Sequence, residues 1–551
     1  MIRPSLAGPA VLAALACAAL GLSACSGAND NTASKGGSGV LTIQGDAGDP
    51  TLTENFNPFS TTQLEGTRLI YEPMGIPSSV DGKYTPFLAT KYSTPDPTTL
   101  VFSLRSGVKW SDGKPFSAAD VVFTFNLLKK TAALDTTGVW SQMASITSST
   151  DTVTVKLKAP NVPFAGTIAQ VPIVPQHLWS SVGDAAKYTN TKPVGTGPFT
   201  LQKFAPTEYV LKKNASYWQA GKVAPAQIRV PAQSSNQATN QLDVTSGKLD
   251  WSYNFLPNVK KTYVSRDAAH NKYWFPPGGT IGLFLNLTKA PYNDPNFRAG
   301  ISYSLNRDTI AQKAVNGYTG AASSSGMILP NLERFLDPSL ANKGVISQNT
   351  STATAAFQKA GYTKQGGKLA KGGKQASIKI VLPNNFTDWV AAATEMKSEL
   401  GQAGVAVTLD EPQFAQYQKQ ISAGTFDAAM GGFGGSGNPY TDFNNALNSK
   451  YATPINTPTV NNFERFKDPT VDQDLAQLAV ATDAGAQTQA THKLEQFMYQ
   501  QQPVVLLYYG GSWGLFSTKH FTGWPSEQDP YMLPTTYNNA MLVIVTHLKK
   551  A

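Results

Sequence analysis

Gly510-Gly-Ser-Trp-Gly514 has the Gly-x-Ser-x-Gly spacing of a nucleophile elbow, and Asp529 and His547 follow in the order serine, acid, histidine. Acyl transfer would need Ser512 on a sharp turn between a strand and a helix. A further strand-like run, Leu515-Phe516-Ser517, follows instead, and too little chain remains to complete a hydrolase sheet. Metal chemistry fails on spacing: His177, His270, His492, His520 and His547 are far apart, and no two share a helix face. The expectation is a protein with no catalytic residue, no metal site and no cofactor.

The two cysteines are Cys17 and Cys25. Arg3 precedes an apolar stretch from Val11 to Leu22, and Leu22-Ser-Ala-Cys25 follows, so residues 1–24 read as a cleaved export signal. The stretch is too short for a hydrocarbon core of about 30 Å, which takes roughly 20 apolar residues. The small residues before Cys25 resemble the bacterial lipobox, in which the cysteine becomes the acylated first residue and anchors the chain to the outer face of the membrane. Removal of Cys17 leaves no disulfide. Ser26 to Gly39 is Ser, Gly, Asn, Asp, Thr, Ala and one Lys, so 25–39 reads as a tether with a reach of roughly 20 Å.

The rest has the composition of a soluble globular chain, 41% hydrophobic and 15% charged, and 551 residues can bury substantial cores without disulfides. The net charge of +9 comes from dispersed lysines. The densest group, Lys368, Lys371 and Lys374, lies among glycines and reads as a solvated loop, so no nucleic-acid partner is expected.

Helices and strands alternate irregularly, which predicts a mixed α/β class. Ser117-Ala-Ala-Asp120 is a helix start followed by an apolar face of Val121, Val122, Phe125 and Leu128. Asp294-Pro295 starts a second helix with Phe297, Ile301 and Leu305 on one face. A third runs from about Thr387 to a stop at Gly404, before a strand over 405–409. A fourth carries Leu494 and Phe497 and leads to a strand over 504–509. Trp110-Ser-Asp-Gly is a turn, and Gly195 and Gly197 allow a tight strand entry.

The run Leu104-Arg-Ser-Gly-Val-Lys-Trp-Ser-Asp-Gly-Lys-Pro-Phe-Ser-Ala-Ala-Asp-Val-Val-Phe123 resembles the signature of family 5 extracellular solute-binding proteins. Gly195-Thr-Gly-Pro-Phe199, Asn214-Ala-Ser-Tyr-Trp218, Gly247-Lys-Leu-Asp250 and Phe297-Arg-Ala-Gly-Ile-Ser-Tyr-Ser-Leu-Asn-Arg-Asp308 continue the likeness in order. The resemblance implies a two-lobed periplasmic-binding-protein fold (type II, cluster C) with an extra inserted domain, closing by a hinge on a small ligand. It implies a first lobe of 40–76, 193–285 and 505–551, an inserted domain at 77–192 and a second lobe at 286–504. The implied partners are the permease subunits of an ABC importer, with the binding protein acting as a monomer. Sensing for a membrane signalling partner would use the same cleft.

In peptide-binding relatives an acid after a Gly-aromatic strand end pairs with the peptide's amino group. Here that stretch is Gly431-Gly-Phe-Gly-Gly-Ser-Gly-Asn-Pro-Tyr440, with Ser436 in place and no carboxylate before Asp442. Aromatic faces with amide and hydroxyl groups suit an uncharged oligosaccharide. Phe433, Ser436, Asn438 and Tyr440 on the second lobe, with Tyr253, Asn254, Phe255, Tyr509 and Trp513 on the first, are the candidate ligand contacts. Gly523-Trp-Pro-Ser-Glu-Gln-Asp-Pro-Tyr531 also resembles a segment of cello-oligosaccharide-binding members. Oligopeptide and oligosaccharide both stay open.

Overall fold

The computed structural model describes residues 39–45 and 50–551. The expected signal (1–24), Cys25 and the tether as far as residue 38 lie outside the described residues. Among the described residues no helix is long and apolar enough to cross a membrane.

Local signals set the helices. Ala118–Lys130 begins at Ser117, whose backbone N–H and hydroxyl both donate to Asp120, at 2.9 and 3.2 Å, and it buries Val121, Phe125 and Leu128. Asp294 caps Pro295–Ser304 by accepting from the Asn296 amide at 2.8 Å, and Phe297 and Ile301 are buried beneath it. Thr387–Gln402 ends before Gly404, whose φ is +94°, and the strand Ala406–Asp410 follows. Gly195 and Gly197 lie against the backbone of residues 69–70, and a Cβ on Gly195 would sit 1.9 Å from the Ile70 carbonyl oxygen. The lysine group departs from the expected loop: Lys368, Lys371 and Lys374 are exposed on a small antiparallel sheet of Thr363–Gln365, Lys368–Lys371 and Lys374–Gln375.

Two four-stranded sheets occupy the first part of the chain. One runs in the order Val40–Thr42, Gln227–Pro231, Glu208–Lys213, Phe199–Ala205; the other runs Ala89–Asp96, Thr99–Leu104, Thr152–Leu157, Met143–Ser148. Their apolar residues form one continuous cluster, completed by the C-terminal helix Ala540–His547. A central sheet runs Ala406–Asp410, Ser377–Val381, Ala428–Phe433, Pro277–Leu285, Val504–Gly511 and builds a second cluster with the helices around it. A three-stranded sheet, Trp251–Tyr253, Gly514–Ser517 and Asn271–Trp274, lies over a third, smaller cluster.

The α/β class is as expected. Pro277–Leu285, assigned by sequence to the first lobe, pairs in the central sheet with Ala428–Phe433 on one side and, on the other, with Val504–Gly511, assigned largely to the same lobe. Pairing partners more than 140 residues apart leave no local signal. The lobe division we propose therefore crosses at 275–276 and at 512–513, where each chain passes from the central sheet to the three-stranded one.

Several carboxyl groups are buried. Burial pushes Glu464 and Glu495 up to about 8, and Glu72 and Glu399 up to about 7. Glu464 is fully buried, and neither of its carboxyl oxygens has a hydrogen-bond partner among the described residues. A carboxyl whose folded pKa is raised holds its proton in the folded state, so its contribution is complete below the unfolded value near 4.5 and is lost as pH rises through 7–8. The melting temperature is expected to fall between pH 5.5 and 9. Glu464→Gln should raise it by about 3 °C at pH 9 and change it little at pH 5.5. A variant with the same pH slope as the parent would show that Glu464 carries no part of it.

Candidate ligand-binding cleft

A cavity of about 550 Å³ opens where three strands of the central sheet end together. Thr280 pairs with Phe433 on one side and Tyr509 on the other, so the amino end of Pro277–Leu285 meets the carboxyl ends of Ala428–Phe433 and Val504–Gly511. Glycines at 278, 279, 432, 434, 510 and 511 leave these ends bare of side chains, which makes the room. Gly432 is the clearest case: a Cβ there would meet nothing within 4 Å, and its φ is not positive. The opposite wall comes from Ile76, Pro77, Ser79 and Gln170 and from Met532 to Ala540.

The nine candidate contacts divide. Tyr253, Phe433, Ser436 and Trp513 line this cavity. Ser436, Asn438 and Tyr440 line an adjoining cleft of about 370 Å³, which shares Pro77, Gln170 and Ser436 with it. Asn254, Phe255 and Tyr509 belong to the packing behind the wall. Asn254 donates its side-chain amide to Gln44 and its backbone N–H to the Trp513 carbonyl at 3.0 Å. Phe255 packs edge-to-face on Trp513 at 5.0 Å. The Tyr509 hydroxyl accepts from the Ser323 amide at 3.1 Å and donates to the Met327 carbonyl at 3.0 Å. In all three the polar or aromatic group is already satisfied inside the fold.

On the wall, the Tyr253 hydroxyl donates to the Gly511 carbonyl at 3.2 Å, and its ring meets Tyr537 edge-on at 5.0 Å. Trp513 presents its remaining surface to the cavity while packing on Phe255 and Phe275. Thr280 is fully buried on the floor, and its hydroxyl has no partner among the described residues.

Asp442 does not face the cavity. It lies 4% exposed beneath the loop 434–436, accepts from the Ser436 amide at 3.1 Å, and is pushed up to about 6 by burial. Sequence reasoning missed the acid that does line the cavity, Asp388 in the first turn of Thr387–Gln402. Burial raises its pKa, while the backbone N–H groups of Asp388 and Trp389 at the helix start oppose that rise. Asp388 is the only carboxylate on the lining, which carries no lysine, arginine or histidine. In sequence it is indistinguishable from an ordinary first-turn acid, and Gln170, Tyr537 and Asn538 likewise carried no signal. The adjoining cleft holds Asp81 and Arg334 on its rim.

Ser512 sits in the link between two strands, Val504–Gly511 and Gly514–Ser517, with no helix after it. His547 directs Nδ1 to the Val543 carbonyl at 2.9 Å and stacks on Tyr531. The elbow spacing therefore lacks its strand–turn–helix. Among the described residues no three His, Cys, Asp or Glu side chains gather as metal ligands.

Known proteins share this architecture. The periplasmic oligopeptide-binding protein OppA of Haemophilus influenzae is 23% identical over 482 residues, covering 83% of this chain and 86% of its own. The murein peptide-binding protein MppA of Escherichia coli is 23% identical over 458 residues, covering 78% and 80%. A periplasmic oligopeptide-binding protein of Thermotoga maritima superposes with a TM-score of 0.84 at 25% identity over 93% of this chain and 99% of its own. The structure of that protein with mannohexaose bound gives 0.76 at 25% identity over the same shares. The profile of the bacterial extracellular solute-binding proteins, family 5 (middle part), matches residues 83–509, and the chain belongs to that family.

Proposed function

We propose that this protein captures a short, uncharged oligosaccharide by lobe closure and delivers it to the permease of an ABC importer, held at the outer face of the membrane by an acylated Cys25. The observation that carries the ligand class is the charge of the cavity. Among the described residues its one acidic side chain is Asp388, and it offers no cation to a peptide's terminal carboxylate. A carboxylate buried without a partner is costly, whereas sugar hydroxyls can donate to Asp388 and exchange hydrogen bonds with Gln170 and Asn538. Tyr253, Trp513 and Tyr537 supply ring faces and edges. Mannohexaose in the Thermotoga maritima relative supports this class. A second reading, an oligopeptide, is favoured by Arg334 in the adjoining cleft and by the peptide-binding relatives.

Thermal unfolding of residues 39–551 against α- and β-linked oligosaccharides and short peptides separates the two. Ligand at a hundred times its dissociation constant stabilises the folded state by about 2.7 kcal/mol. Sugars are expected to shift the melting temperature, and Gly432→Phe, which fills open space, should abolish the shift without lowering the ligand-free value. Trp513→Ala is the poorer probe, because it also removes packing on Phe255 and Phe275. A shift with peptides alone would overturn the sugar reading.

Asp388→Asn should weaken sugar binding roughly tenfold, the difference between a charge-assisted and a neutral hydrogen bond. Because the ionised carboxylate is the better acceptor, parental affinity should fall as pH drops towards its raised pKa, and the variant should lose that dependence. Titration calorimetry between pH 4.5 and 7.5 reads both; unchanged affinity in the variant would remove Asp388 from the site.

A further inference from the structure

Away from the cleft, the first cluster carries an open groove of about 910 Å³ between residues 85–87, 213–226 and 546–550. Its charged lining is Arg105, Lys213, Lys222, His547, Lys549 and Lys550, with no aspartate or glutamate. Three of these are committed inside the fold. Arg105 donates to the Phe87 carbonyl at 2.8 Å and lies 3.7 Å over the Trp218 ring. Lys213 donates to the Val223 carbonyl at 2.6 Å, and His547 is turned to Val543. Lys222, Lys549 and Lys550 are exposed and make no ion pair among the described residues.

The chain enters the body at the rim of the same groove. The Gly39 carbonyl accepts from the amides of Ala226 and Gln227 at 2.7 and 3.2 Å, and Ala226, whose own carbonyl accepts from the Lys213 amide at 2.9 Å, lines the groove. The parallel strand Val40–Thr42 then leads away along Gln227–Pro231. A chain anchored upstream of residue 39 would join the body at this rim.

We propose that this groove is a docking face for an anionic membrane surface, where the three free lysines meet lipid headgroup phosphates and orient the tethered body. The proposal rests on the anchor reading above for its biological setting. The charge of the lining and its place in the chain identify the partner: among the described residues it carries basic side chains and no acid, in an open groove where the chain joins the body, which suits a layer of headgroup phosphates. The attraction acts within a Debye length, about 10 Å at 0.1 M salt, and a short tether supplies the local concentration that makes weak attraction effective.

Sedimentation of residues 39–551, which contain all three apolar clusters, with vesicles of phosphatidylglycerol and phosphatidylcholine tests this without the acyl anchor. Partition onto anionic vesicles is expected at 50 mM salt, with loss at 500 mM and on pure phosphatidylcholine. The triple change Lys222→Glu, Lys549→Glu, Lys550→Glu should weaken it at least tenfold. The equal charge change at Lys359, Lys368 and Lys374, on the second cluster's side, should weaken it less than threefold. The corresponding Lys→Gln changes at the groove keep the test open if reversal disturbs the Lys549–Lys550 strand. No partition of the parent, equal losses in the two triples, or displacement by inorganic phosphate beyond its ionic strength would each overturn the proposal. Mass spectrometry of the N-terminal peptide tests acylation of Cys25 separately, so the two readings fail independently.

Discussion

The whole arrangement depends on two crossings lying side by side. The chain passes between the central and three-stranded sheets only at 275–276 and 512–513, and the Ser512 amide donates to the Pro276 carbonyl at 2.7 Å. The approach admits no side chain at Gly278, where a Cβ would sit 2.3 Å from the Ser512 hydroxyl oxygen. The pairing of Pro277–Leu285 with Val504–Gly511 slips between Pro277 and Gly279 and again between Ile281 and Gly282, and such irregularities bend strands. Gly278 and Ser512 also line the cavity, so a hinge at the proposed crossings would lie at its floor. Rotation there would move the far rim most, where Gly437 meets Ser79 so closely that an added Cβ would stand 2.4 Å from the Ser79 Cα.

Two acids near the site show how placement decides the role of a residue type. Asp442 and Asp388 each lie in the first turn of a helix. Asp442 is covered by the loop 434–436 and works on that loop, fixing the Ser436 amide. Asp388 starts a helix that follows the strand Ser377–Val381, whose end faces the open space left by Gly432, so its carboxylate reaches the cavity. The loop 434–437 is built from glycine and serine and is held from below by Asp442.

What the sequence disclosed follows the range of each interaction. Caps and apolar faces such as Ser117 with Asp120, or Asp294 with Phe297 and Ile301, act within one or two turns, and those helices were legible. The family motifs were legible because they describe scaffold: Gly195 and Gly197 press against residues 69–70. Strand membership of Pro277–Leu285 and Val504–Gly511 was not, because it is fixed by hydrogen bonds to distant residues. Aromatic and amide composition near both lobe edges pointed to residues that line the two cavities, Tyr253, Phe433, Ser436 and Trp513 in one and Ser436, Asn438 and Tyr440 in the other. It also drew in Asn254, Phe255 and Tyr509, whose types are equally suited to packing. Asp388, Gln170 and Asn538 were hidden because a polar residue alone carries no mark of the direction it faces.

The two joined cavities give ligand length a mechanical meaning. The larger space carries one acid and bare strand ends, and the smaller one reaches Arg334, Tyr440 and Asp81. If the lobes close as proposed, a ligand confined to the larger space would touch mainly residues around the hinge, where distances change least. A longer ligand passing Ser436 would touch the rim around Gly437 and Ser79, where the two walls would separate most on opening. Only contacts whose strength differs between the open and closed forms can shift that equilibrium. Under the proposed closure, the smaller cleft would therefore be the part that couples binding to the closed form.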